Sequence, residues 1–225
     1  MFASTSSAEP AAAPVRPERS RTQTMPVQPT LGSNAMKKLA LLTAISALVS
    51  VSSALAESAG DPNAAEAKGI VKEFFTSLKG ELQSAMKEGG PVNAIVVCKE
   101  RAPAIAQDLS DKTGWEVGRT SLKLRNPALN APDEWEQAVL MKFEERKAGG
   151  ENVETMAFAE VVETGDGKQY RFMKAIPTGE VCLACHGDAI TPEVTAALDE
   201  AYPDDQARGF QLGDIRGAFT LAKPL

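Results

Sequence analysis

The stretch Val181 to Gly187, VCLACHG, gathers two of the chain's three cysteines and its only histidine into five consecutive positions. Any fold adopted by this chain must bring Cys182, Cys185 and His186 to one site, a tighter constraint than any periodicity imposes. Cysteine, two residues, cysteine, histidine is the attachment spacing of c-type haem. The physical reason is that two thiols, one backbone turn apart, add across the two vinyl groups of a porphyrin. The adjacent imidazole then comes under the iron as its proximal ligand.

Three other uses compete for these residues. C-x-x-C is also the redox dithiol, but that motif needs a thioredoxin-like βαβ frame, and the element order below does not supply one. Cys98 would complete a Cys₃His zinc set, yet the neighbours Cys185 and His186 would strain to share one tetrahedral ion. A structural disulfide would leave an odd cysteine. One covalent haem c is therefore the expected cofactor.

The start of the chain agrees. From Met36 the sequence runs MKKLALLTAISALVSVSSALA: a basic start at Lys37 and Lys38, an apolar core from Leu39 to Val49, and a small-x-small cleavage site at Ala54-Leu55-Ala56. This is the layout of a secretory signal peptide, and its apolar run is too short for a membrane span. Residues 1–35, rich in Ala, Ser, Thr and Pro, have no helical or strand period and read as a non-structural upstream extension. The expected division is thus 1–35 extension, 36–56 signal peptide and 57–225 a single domain, with a periplasmic or otherwise exported mature chain. Cleavage after Ala56 leaves 169 of the 225 residues, enough for one domain. The 24 basic and 30 acidic side chains fall to 19 and 28, a formal charge of −9. So acidic a chain is a poor nucleic-acid binder, because phosphate contact needs a basic face. No membrane span is expected in the mature chain.

Along the mature chain, Asp61-Pro62 starts a helix as N-cap and first-turn proline. Ile70, Phe74, Leu78, Leu82 and Met86 recur every four residues as one apolar stripe, which stops at Gly89-Gly90. A second helix begins near Pro91 and carries Cys98; Pro103 should kink or break it before it continues to Gly114. WEVGRTSLKLRNP reads as extended. Pro132-Asp133 opens a helix whose Trp135, Val139, Leu140 and Phe143 face inward. Met156 to Val162, TGDGK and Gln169 to Ile176 form a hairpin signal. Thr191-Pro192 opens a short helix, and DIRGAFTLAKPL is a last strand. Helices, strand, helix, hairpin, motif, helix, strand is an α+β order around a small antiparallel sheet.

With one histidine, bis-histidine ligation within the chain is impossible. The sixth iron position falls to Cys98, a methionine, a weaker donor, water or nothing. Met86, Met141 and Met156 fit apolar faces or element ends; Met173, in the strand leading to the motif, is the better rival to Cys98. Cys98 sits between apolar helix neighbours, where an inert buried thiol is the ordinary reading. An exported protein keeping an unpaired thiol, however, needs burial or a metal to protect it.

At this point four segments, AIVVCKERAPAIAQDLS, GWEVGRTSLKLRNPALNAPDEWE, RFMKAIPTGEVCLACHG and YPDDQARGFQLGDIRGAFTL, resemble a family of exported single-haem c-type proteins long catalogued as a domain of unknown function. The resemblance spans about Ala64 to Leu225. It implies a PAS-like fold, with the haem packed against the sheet, and His/Cys iron ligation, here His186 and Cys98. Arg119, Ser121, Lys123 and Arg125 alternate, so an extended strand would place them on one face. Arg119, Lys123 and Arg125 could then neutralise the haem propionates, as could Arg171 or Arg216; a solvated, charge-protected strand edge is the plainer alternative. Tyr170 and Phe172 share a strand face and could wall the haem or fill core.

A thiolate opposite histidine favours ferric iron and lowers its reduction potential. Two strong ligands also close the iron to substrates. The expectation is therefore a low-potential electron carrier or redox-responsive haem protein, exchanging electrons with a partner protein. The alternative is a gas or redox sensor whose Cys98 bond is given up on reduction, freeing a place for NO or CO. Enzymatic turnover is not expected, since there is no distal histidine.

Overall fold

The computed structural model describes residues 60–225, so the extension at 1–35, the signal segment at 36–56 and the cleavage site near Ala56 lie outside the described residues. Among the described residues no helix is long and apolar enough to cross a membrane.

Helix α1 (Pro62–Val96) starts on Asp61, whose carboxylate accepts from the amides of Asn63 and Ala64. It breaks at the expected place: Gly89 and Gly90 leave helical geometry, Gly90 at φ 69°, and the chain restarts at Pro91. A π-helical turn, Val97–Arg101, then leads into α2 (Ala102–Thr113). Pro103 explains this turn. It has no N–H to donate backwards, so the ladder just before it is short of a donor, and the Ala102 amide reaches back five residues to the Val97 carbonyl.

Strand β1 is only Glu116–Thr120. Residues 121–125, expected to continue it, bend away instead, and a short α3 (Pro127–Asn130) follows. Helix α4 (Glu134–Ala148) opens with a reciprocal capping box between Asp133 and Glu136. Strands β2 (Ala157–Thr164) and β3 (Gly167–Pro177) form the expected hairpin, paired from Ala157↔Lys174 to Thr164↔Gly167. Helices α5 (Glu180–His186) and α6 (Pro192–Ala201) and strand β4 (Ile215–Pro224) complete the chain.

The sheet is antiparallel, in the order β1-β4-β3-β2. Side-chain alternation separates its two faces. Tyr170 and Phe172 of β3, with Phe219 and Leu221 of β4, pack against Ile70, Phe74, Ile105 and Leu109 of α1 and α2. Met173 and Ala175, one position out of step, pack with Val139, Leu140 and Phe143 of α4 on the opposite face. Both faces are covered, and each buried large apolar side chain contributes roughly 1.5–3 kcal/mol. This is the expected α+β class, a four-stranded antiparallel sheet flanked by helices.

Candidate functional site

A cavity of about 1200 Å³ opens between α1, the π-helical turn, α5, α6 and the β1–β4 side of the sheet. It is somewhat larger than the roughly 300–1,000 Å³ typical of ligand sites. Its apolar wall carries Phe74, Leu78, Leu82 and Met86 from α1, Leu198 from α6 and Phe219 from β4. The lower half of the α1 stripe therefore faces the cavity rather than a filled core. Leu78, Leu82 and Met86 are correspondingly only partly buried, while Ile70 and Phe74 are fully so.

All three motif residues line this cavity, as does Cys98. Cys182 and Cys185 stand one turn apart on α5, and His186 ends it. Cys98 comes from the π-helical turn. Among the described residues no three His, Cys, Asp or Glu side chains converge closely enough to hold a bare metal ion. The cysteines are free. A thiol pair and an imidazole spread along one wall suit a planar group of haem size, with the Cys98 thiol as a further donor on the same cavity. The residues therefore fit the cofactor that their spacing implies.

His186 is held closely. Its Nδ1 lies 2.8 Å from the Ala207 carbonyl oxygen, which can only accept, and 2.7 Å from Arg125 Nη2, which can only donate, so the carbonyl favours a proton on Nδ1 and the guanidinium opposes it. Phe210 stands edge-on to the ring, with centroids 6.1 Å apart. Burial, then the guanidinium groups of Arg216 and Arg125, hold the histidine pKa well below its ordinary value, which leaves the ring neutral. A neutral imidazole is the metal-ligating form. Burial pushes the Cys98 thiol up, while Arg119, Arg125 and Arg216 pull it the other way.

Three arginines line the cavity. Arg119, from β1, pairs with no carboxylate among the described residues; the groups favouring its charge are Cys98 and Tyr202, and burial opposes it. Arg216, from β4, donates from Nη1 to Ser121 Oγ at 3.2 Å, and its Nε lies 3.2 Å from both imidazole nitrogens. Burial foremost, then its arginine neighbours, push its pKa down to about 10. Arg125 meets Asp205 at 3.0 Å and also donates to the Ala207 carbonyl at 2.9 Å.

Not every candidate comes here. Lys123 points away: its Nζ donates to the Arg208 carbonyl at 2.6 Å, 4.8 Å from the Phe210 ring centre. The premise of one extended face from Arg119 to Arg125 fails because β1 ends at Thr120. Arg171 is bound on the α4 side to Asp133 and Glu136, at 2.6 and 3.2 Å. Met173 is fully buried in the α4 core, on the face opposite Phe172, and does not line the cavity. Tyr170 and Phe172 fill the α1–α2 core. Asp205 and Ala207 escaped the sequence reading; their only signal was the short polar run PDDQARG, which looks like any turn.

A comparison with curated proteins found no match. Among solved structures, the crystal structure of the cyanobacterial heme-protein Tll0287 is similar, with a TM-score of 0.57 at 22% identity, covering 73% of this chain and 96% of that one. At that identity the likeness shows the shared fold. The family model Tll0287-like matches residues 36–224, almost the whole sequence. The chain belongs to the Tll0287-like family.

Proposed function

We propose that this protein binds one haem covalently through Cys182 and Cys185, with His186 as the proximal iron ligand and Cys98 as the further residue that would ligate the iron. It would then serve, after export, as a low-potential electron carrier or redox-responsive protein rather than an enzyme. The observation that carries this reading is the placement of all four side chains on one cavity from two separate elements, α5 and the π-helical turn. The heme-protein named in the structural comparison is consistent with it.

A bound haem supplies one-electron chemistry at its iron. The chain supplies the rest. With Nδ1 turned to the Ala207 carbonyl, His186 would offer Nε2 to the iron. The α1 stripe excludes water from one wall. Arg119 and Arg216, neither paired with a carboxylate among the described residues, would provide charge for a thiolate and two propionates. Phe75, Leu129, Val181 and Leu212, exposed among the cavity residues, offer an apolar rim for a redox partner.

The sensor alternative, in which Cys98 is displaced on reduction, is favoured by one feature. Cys98 sits on a π-helical turn, whose five-residue step could give way to ordinary helix and carry the thiol with it.

The test is the chain matured in a host with cytochrome assembly. Intact mass should show one covalently attached haem, and Cys98→Ala should convert a low-spin ferric spectrum to a high-spin or differently ligated one. A colourless product at apoprotein mass sinks the proposal. An unchanged electron paramagnetic resonance spectrum in the variant removes Cys98 from the iron. Binding of CO only after reduction, with loss of the thiolate signature, selects the sensor.

A further inference from the structure

The residue whose carbonyl meets His186 is itself held by a buried carboxylate four residues beyond the end of α6. The Asp205 side chain is 1% exposed. Its Oδ1 accepts the Ala207 amide at 2.8 Å and meets Arg125 Nε at 3.0 Å, and its Oδ2 accepts Arg208 Nε at 2.7 Å. Arg125 in turn donates from Nη2 to the carbonyls of Cys185 and Ala207, and that same nitrogen lies 2.7 Å from His186 Nδ1. Asp205 thus grips Ala207 directly by its amide and indirectly, through Arg125, by its carbonyl. The strap continues beyond this point: Gly209 and Phe210 donate to the carbonyls of Gly187 and His186, both at 2.9 Å.

We infer that Asp205 and Arg125 are positioning residues for His186: Asp205, by holding Ala207 with its carbonyl against Nδ1, keeps the ring proton there against the neighbouring guanidinium, and the two charges set, with opposite signs, how strongly Nε2 donates to a bound iron. The assignment rests on His186 being the proximal ligand, as proposed above. The electrostatics are simple. A guanidinium beside Nδ1 withdraws charge from the ring, and the carboxylate against it cancels most of that effect in a site where little solvent screens either. Arg208 serves as an internal control, because it contacts the same carboxylate but no part of the imidazole or its carbonyl.

The experiment is a spectroelectrochemical titration of the haem-loaded chain. Asp205→Asn leaves the Arg125 cation uncancelled and should raise the midpoint potential. Arg125→Gln should lower it, and Arg208→Gln should leave it at the wild-type value. Circular dichroism identifies any variant that has not folded. Shifts of the same sign in the first two variants, or an Arg208→Gln shift as large as that of Arg125→Gln, overturn the inference in favour of general loosening. If the wild-type chain carries no covalent haem, the functional proposal fails, and the positioning role is then read from ¹⁵N resonances of the only imidazole in the full chain. The Nδ1–H form should dominate in wild type and give way to a mixture in Asp205→Asn; identical resonances in both would refute it.

Discussion

Gly217 on β4 lies directly against the backbone of Thr120 on β1: a Cβ built on Gly217 would stand 2.3 Å from the Thr120 carbonyl oxygen and 3.1 Å from Ser121 Cβ. The strands meet here at the last pair of their register, Thr120↔Ala218, two residues from Arg216. Neither contact is with a flexible side-chain end, so a methyl group has to displace backbone. Gly217→Ala should therefore cost at least the ~1–3 kcal/mol of an overpacked core. It should also disturb Arg216, whose carbonyl accepts from Ser121 Oγ at 2.8 Å. A thermal melt checks the first effect. An unchanged midpoint would mean that β1 yields freely at this end.

On the other face of the sheet, Glu136 is a buried carboxylate that joins three elements. It accepts from Thr220 Oγ1 of β4 at 2.7 Å, from Arg171 of β3 at 3.2 Å and from the Asp133 amide at 3.0 Å. Breaking a buried pair costs ~3–5 kcal/mol. Arg171 keeps Asp133, so Glu136→Ala should cost somewhat less, about 2–4 kcal/mol, with a thermal midpoint lower by on the order of 10 °C. Denaturant melts of Glu136→Ala and Arg171→Met measure this. The haem content of folded protein should stay unchanged, because the network lies across the sheet from the cavity.

How much of this could be read from residues alone depended on how local the cause was. The Asp61 and Asp133 caps, the break at Gly89-Gly90 and the Gly165-Asp166 hairpin turn each arise within a few residues and stand where the pattern puts them. Cys182, Cys185 and His186 are fixed by covalent spacing. Arg171 and Arg125 are indistinguishable as arginines near strands. Their separation to opposite faces depends on where β1 stops and on which carboxylates the fold brings up, Asp133 and Glu136 for one and Asp205 for the other. Met173 shows the same limit: its strand was legible, but a one-residue change of parity decides which face it serves. Asp205 acts through a neighbouring main-chain carbonyl, which no side-chain pattern encodes.

The N-terminus of α1 is tied to the sheet by a charge. The Asp61 carboxylate accepts from the Tyr170 hydroxyl, and this bond foremost, helped by the amides of Ala64 and Asn63, holds its pKa below the ordinary value against a smaller opposing effect of burial. A lowered folded-state pKa means that the stabilisation is complete above the unfolded carboxylate pKa, about 3.9, and is lost as pH falls through the lower folded value. The thermal midpoint should therefore drop on acidification below about pH 4. Asp61→Asn keeps an effective N-cap but carries no charge, so its melting curve should be flatter across that window. Melts of both proteins at matched pH check this, and parallel curves would remove Asp61 from the acid response.

Pro103 is the sequence cause of the π-helical turn, and the turn sets where Cys98 points. Replacing the ring with an amide-bearing residue restores a donor to the ladder, so Pro103→Ala removes the reason for the five-residue step between Val97 and Ala102. Ordinary helix winds one residue fewer per step, and rewinding through residues 97–101 rotates the Cys98 side chain around the axis, away from the cavity wall it now shares with His186. Helix stability should not suffer, since alanine is the better helix former. Pro103→Ala should therefore melt no lower than wild type, yet its ferric spectrum should gain the high-spin component expected of Cys98→Ala. A variant that melts normally and keeps the wild-type electron paramagnetic resonance spectrum would show that the cavity, and not the proline, holds the turn in its π form.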